Sequence, residues 1–251
     1  MALDLDKIKE RMSALKGDSK KSHFWRPDDG EQTIRIVPTA DGDPFKDYYF
    51  HYNVGKNSGF LCPKRNFGDD CPVCNFANKL YKEGTTDSLK LAKSFFARQR
   101  FFSPVLVRGL EEEGVKVWGY GKMAYENLLS LVLNPEYGDI TDVDDGTDLI
   151  LSYGKPPGAS FPQTKLVPRR RNSPLCQDMD ATKCSELLEN IPEFDSLFER
   201  KSTEDVQALL DEHLLDDDSA ESASSETVKY NKNSDASSVE NAFDELLSAN
   251  N

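Results

Sequence analysis

The sequence predicts an α+β chain, mainly β. A small barrel core carries a metal-binding subdomain inserted among its early strands, with a helical arm before it and a disordered acidic tail after it. Three observations carry this prediction. Short runs of alternating apolar and polar residues recur between turn residues, the pattern of half-buried strands. Three of the five cysteines and one of the three histidines fall between His51 and Cys74. Charge is segregated: of the net −13, −9 lies in Asp211–Asn251, which holds eleven acidic residues against two lysines, so the rest carries about −4.

The bulk composition sets the bounds. A chain of 251 residues is long enough for one sizeable core. A hydrophobic content of 37% is low for a fully globular chain and fits disordered segments. No run approaches the roughly 18 apolar residues of a membrane span. The N-terminal Met-Ala-Leu-Asp-Leu-Asp-Lys has no signal-peptide core. The cysteines cluster at metal spacing, which fits a reducing cytoplasm.

Residues 1–22 read as an amphipathic arm. Leu5, Ile8, Met12 and Leu15 fall at helical spacing, and Gly17 ends the helix. Such an arm either packs on the body or docks on a neighbouring molecule.

The body spans residues 23–215. Gln32–Val37 alternates with period two and stops at Pro38, and Tyr48–Val54 is a second strand that delivers His51. Cys71-Pro-Val-Cys74 is a tight C-x-x-C knuckle, which lets two thiolates reach one metal from a single turn. With Cys62 and His51 it can complete a tetrahedral shell, and Zn²⁺ favours that mixture of sulfur and nitrogen. The subdomain so defined covers about residues 48–82. A redox C-x-x-C would open a helix in a thioredoxin-like βαβ unit, and none is visible. His23, Cys176 and Cys184 are rivals for the fourth ligand position, and the latter two read as ordinary reduced cysteines. A closed shell without a His-x-Glu or His-Glu-x-x-His pattern points to a structural metal.

Pro72–Tyr81 and Thr85–Lys93 read as helices. Two strands follow, within Ser94–Arg108 and Gly114–Lys122, in which rings and cations interleave: Arg98, Arg100, Phe101 and Phe102, then Trp118, Tyr120 and Lys122. This is the composition of a stacking platform in a basic groove, where bases lie on the rings and cations follow the phosphates. Phe95 and Phe96 read as core. Trp118 and Tyr120 share one strand face and Val115 and Val117 the other, so buried valines would present the two rings outward. Met123–Leu133 is a helix carrying Tyr125. Leu149–Tyr153 is a strand, and Phe161–Arg171 a final one that brings Lys165, Arg169, Arg170 and Arg171, of the same sign as the groove.

Met179–Asn190 and Pro192–Phe198 then turn helical, and Ser202-Thr-Glu-Asp caps a helix reaching about Leu215. Residues 216–251 read as a disordered acidic tail. Its tip places Phe243, Leu246 and Leu247 on one apolar face rimmed by Asp244 and Glu245. Such a tip folds onto a partner or onto the chain's own basic groove. No nucleophile–base constellation and no Gly-rich phosphate loop emerges, so an enzyme is not expected.

Short strands, a zinc knuckle between early strands and aromatic-basic faces together suggest a barrel of the OB type. In that setting the residues resemble the gene-32-type, helix-destabilising single-stranded DNA-binding proteins of T-even-like bacteriophages, from about Gln32 to Leu175 and again at the tail tip. His51, Cys62 and Cys71-Pro-Val-Cys74 are similar to the family's zinc site. Arg98-Gln-Arg100-Phe101-Phe102 and Trp118-Gly-Tyr120-Gly-Lys122 resemble its DNA-binding strands, and Phe161 falls where it carries a further base-stacking aromatic. Asp244-Glu-Leu-Leu247 resembles the end of its tail. The resemblance implies an OB-fold core with one structural zinc and cooperative, sequence-independent binding along single strands. It also implies self-association on the strand, roles in phage replication, recombination and repair, and a tail that contacts replication proteins. The family's arm carries a Lys-Arg-Lys-Ser-Thr-type motif, where this chain has Lys20-Lys21-Ser22. Two other readings use the same residues: a zinc-containing protein-interaction scaffold whose tail is the working part, and an RNA-binding regulator.

Overall fold

A computed structural model describes residues 23–177, 179–221 and 234–249. The expected N-terminal arm lies outside them, as does the first part of the expected tail beyond residue 221. The chain is α+β and built on one sheet, in the order β1 (Phe24–Trp25), β6 (Lys116–Tyr120), β5 (Arg98–Val107), β2 (Gly30–Ile36), β7 (Leu149–Gly154), β8 (Gln163–Pro168). β3 (Lys46–Val54) and its hairpin partner β4 (Asn57–Leu61) join on β5.

The spine is β5, ten residues long. Its first half pairs with β3, from Phe50↔Arg98 to Lys46↔Phe102, and its end pairs with β2 at Val105–Val107. Along its other edge it takes β6, from Phe101↔Tyr120 to Val105↔Lys116. From Arg100 to Val107 every β5 side chain is buried, on both faces. Such a strand lies inside the molecule rather than on its surface.

Three short helices fill the link between β4 and β5: α1 (Pro63–Phe67), α2 (Pro72–Glu83) and α3 (Thr86–Phe95). α1 and α2 each start with Pro after a cysteine cap, and each ends on a left-handed glycine, Gly68 and Gly84. After β6, α4 (Lys122–Val132) packs against β5 and β8. α5 (Ala181–Glu189) is capped by Asp180 and sets Leu187 over Val37, Leu106 and Val115. α6 (Thr203–Glu221) seats Val206 and Leu210 on the metal lobe. Gly55 in the β3–β4 turn has φ +61, and a Cβ there would come within 2.8 Å of the Leu209 carbonyl oxygen, so only glycine lets α6 approach this closely.

Three expectations need correction here. The segment expected to be a disordered tail contains the end of α6 and a further helix, α7 (Ser234–Ala249). Phe243, Leu246 and Leu247 are buried against Phe50, Tyr52, Leu61 and Phe102, so the apolar tip is covered by the chain itself. Cys176 and Cys184 form a disulfide instead of standing as reduced thiols. The turn into α5 brings their Cα atoms to 5.8 Å, inside the range a disulfide spans. The strand expected over Phe161–Arg171 covers only Gln163–Pro168, the length over which it pairs with β7, from Gly154↔Gln163 to Leu149↔Pro168.

Sequence pattern also passed over a buried ion cluster. Arg35, at 0% exposure, reaches Asp148 at 2.9 Å, and Arg108 holds the same carboxylate at 2.9 Å. Arg35 also donates to the Ser173 carbonyl at 2.7 Å and Arg108 to the Leu175 carbonyl at 2.7 Å. One acid shared by two arginines thus ties β2 and β5 to the loops around residues 148 and 174.

Candidate metal centre and nucleic-acid groove

Four side chains converge beside the β3–β4 hairpin. β3 supplies His51, Cys62 caps α1, and the first turn of α2 supplies Cys71 and Cys74. Their ligand atoms all lie within 4.8 Å of one another. His51 Nε2 is 3.4 Å from Cys71 Sγ and 3.5 Å from Cys74 Sγ, and the sulfurs of Cys62 and Cys74 are 3.4 Å apart. His51 Nδ1 lies 2.9 Å from the Phe95 carbonyl oxygen. A carbonyl only accepts, so Nδ1 carries the hydrogen and the Nε2 lone pair faces the sulfurs. Hydrogen bonds from Cys71 and Cys74 favour the thiolate at Cys62 and hold its thiol well below the usual range, while the same sharing pushes Cys74 up. The set can hold one metal ion in a closed shell, without an open position for substrate. The rivals His23, Cys176 and Cys184 lie outside this group, and it is the one such cluster among the described residues.

The aromatic-basic strands are arranged differently from the outward platform expected of them. Trp118 and Tyr120 do share a face, but they are only 1% and 4% exposed. Their face is covered by Ala124 and Leu128 of α4 and by Ile34 and Leu149, while Val117 on the other face meets Phe102 and α7. Both faces of β6 are therefore lined, one by a neighbouring helix and one by a distant segment. Phe101 and Phe102 are buried too: Phe101 stacks on Tyr125 at 3.9 Å, and Phe102 packs among Phe50, Phe198 and Phe243. Burial pushes the Tyr120 phenol well above its usual range, so it stays neutral in its 2.7 Å hydrogen bond with Ser103.

A groove of about 510 Å³ nonetheless runs along the ends of these strands. Arg100, Trp118, Tyr120 and Lys122 line it, together with Arg26, Tyr153, Gln163 and Thr164. One wall is α7. Phe243 lies under Arg100, with the guanidinium carbon 4.5 Å from the ring centroid, and Asp244 reaches Arg26 at 3.6 Å. A Cβ at Gly119 would come within 2.8 Å of the Phe243 ring, so glycine is what admits α7 here. Arg98, Lys165, Arg169, Arg170 and Arg171 are exposed outside the groove, Phe161 is half-buried beside it, and Glu245 is exposed on α7.

Trp25 was missed by sequence reasoning. It is half-exposed, 6.5 Å from Trp118, and adjoins Arg26 at the groove. Its signal was available, since Trp25-Arg26 is the same ring-and-cation pairing, but two residues are too short a strand to show a period.

An α+β chain with a cysteine-histidine cluster that could hold a metal and a ring-lined, cation-rimmed groove has the features of a nucleic-acid-binding protein. A family model described as gp32 DNA binding protein like matches residues 28–213, and the chain belongs to that family. No curated protein matches the chain. Among the described residues no helix is long and apolar enough to cross a membrane.

Proposed function

We propose that this protein binds single-stranded DNA without sequence preference and has no catalytic activity of its own. The family membership supports DNA as the ligand. The observation that carries the single-stranded reading is the groove, where the edges of Trp118 and Tyr120, backed by Trp25 behind Trp118, line a channel flanked by Arg26, Arg100 and Lys122. Rings can stack only on bases that are not already stacked in a duplex, and cations follow phosphates of any sequence. The sheet is read as an OB-type barrel, with α4 packed on β5 and β8. The metal is zinc, and its role is to hold the lobe beside β3. When the strand enters, α7 leaves: Phe243 and Asp244 occupy positions against Arg100 and Arg26 that a base and a phosphate would take. Once displaced, the acidic tip with Glu245, Leu246 and Leu247 is free for replication and recombination proteins. Cooperative self-association, a phage origin and a cytoplasmic setting complete this reading.

The test is a fluorescence titration of the full chain with oligo-dT at low and moderate salt, with duplex DNA and oligo-U as controls. Tryptophan quenching by oligo-dT, weaker with duplex and weakened by salt, is the expected result. Absence of quenching at low salt by a metal-loaded protein would overturn the proposal. Equal or tighter binding of oligo-U would shift the ligand to RNA.

A further inference from the structure

The groove leaves the densest cationic run of the chain unused. Gln163 and Thr164 stand at its rim, and β8 leads away from there. Gln163, Lys165 and Val167 are exposed while Leu166 is buried, so one face of β8 is open over its whole length. Among the described residues β8 pairs only with β7. Its six residues span roughly 20 Å at about 3.3 Å each. At the far end come Arg169, Arg170 and Arg171, all exposed.

Two features set this run apart from an ordinary solvated surface. The Arg169 amide donates to the Asp148 carbonyl at 2.9 Å, which pins the backbone where the arginines begin. The Asp148 carboxylate is already taken by Arg35 and Arg108. Among the described residues, Lys165 and Arg169–Arg171 join no ion pair, in a chain with 44 acidic residues against 31 basic ones. Such a chain has carboxylates to spare, so four neighbouring cations left without one mark a place for an anion from outside.

Resting on the reading of the groove as a single-strand site, we propose that the open face of β8 and Arg169–Arg171 form a phosphate track that extends it. The stretch Lys165-Leu-Val-Pro-Arg-Arg-Arg171 carries no aromatic ring, so this part holds the strand by charge alone. The binding site is then two-part: a stacking segment in the groove, and an electrostatic segment engaged only by strands long enough to leave it. Known site sizes of roughly 4–16 nucleotides per OB fold leave room for both.

The experiment uses the full chain with oligo-dT of two lengths, one of about 4 and one of about 14 nucleotides, within that range of site sizes. Arg170→Gln/Arg171→Gln is compared with wild type and with Lys79→Gln/Lys82→Gln, an equal charge change on exposed residues of α2. Single-strand binding loses a log–log salt slope of about 0.7 for each phosphate contact removed. The arginine variant should therefore lose about 1.4 of slope with the long strand and none with the short one. The lysine control should match wild type with both. A long-strand slope unchanged in the arginine variant, while the short strand still quenches, would overturn the track and leave the groove intact. Equal losses for both lengths, or the same loss in the lysine control, would also overturn it. Failure of both strands to bind wild type would remove the groove reading and the track with it. Polyglutamate that competes in wild type but not in the arginine variant, without any length dependence for DNA, would assign the face to an acidic protein instead.

Discussion

The metal lobe and the groove are both built from short, chemically distinctive stretches, yet they are closed in different ways. His51 and Cys74, at opposite ends of the metal set, are 23 residues apart, and the caps of α1 and α2 aim the sulfurs from within the same stretch. The groove's aromatic strands instead find their cover in α4 on one face and, on the other, in α7 from the far end of the chain. A site closed by its own neighbours should respond to its own substitutions. A site closed from afar should respond to changes in a segment that carries none of its chemistry.

The sharpest break of this comparison is Cys71→Ser. It should abolish metal binding and loosen the lobe, since structural zinc in small domains contributes apparent free energies of about 10–16 kcal/mol. Metal content and hydrogen exchange over residues 48–95 read it; a variant with full metal content and unchanged exchange would remove Cys71 from the ligand set. The groove should keep its quenching by oligo-dT if the two regions are as independent as their construction implies.

Next in size is Trp118→Ala. At 1% exposure the ring is core as well as groove, so denaturant unfolding should show a loss of about 3–5 kcal/mol. The cost to single-strand affinity should be smaller, roughly 1–3 kcal/mol. A loss of affinity with no loss of stability would mean that the ring stands out in solution, contrary to the packing against Ala124 and Leu128.

Phe243→Ala tests closure from a distance. Burying this ring stabilises the docked helix by about 1.5–3 kcal/mol, so its removal should free the groove and tighten oligo-dT binding by roughly ten- to a hundredfold. Weaker binding would make α7 a support of the groove rather than its occupant. Asp244→Asn is the smallest change. Arg26 and Asp244 are both partly exposed at 3.6 Å, so affinity should rise by less than about 1 kcal/mol, and the gain should fade at high salt.

Much of the metal site was legible because ligand chemistry imposes spacing. Cys71 and Cys74 must share a turn, and His51 and Cys62 supply two further donors from a short stretch. The strands were legible for a similar reason, since alternation in Gln32–Val37 and Tyr48–Val54 follows from the pleat. What covers a strand is not written in the strand. Alternation placed Trp118 and Tyr120 together correctly, yet could not tell that α4 would lie over them. The same holds for Arg35, which reads as a polar position in β2 and is buried only because Asp148 arrives from a loop far along the chain. The Cys176–Cys184 disulfide depends on where α5 begins, a boundary that sequence fixes poorly.

The hydrogen bond from His51 Nδ1 to the Phe95 carbonyl has a reach beyond the metal. The Phe95 ring meets the ring of His213 edge-on at 5.2 Å, and His213 Nδ1 accepts the Gly55 amide at 3.2 Å. The family match stops at the same residue, 213. His213 closes a circuit from β3 through α3 and α6 back to the β3–β4 turn. Loss of the His213 side chain would leave the Phe95 segment, and with it the histidine ligand's own anchor, without this support from α6.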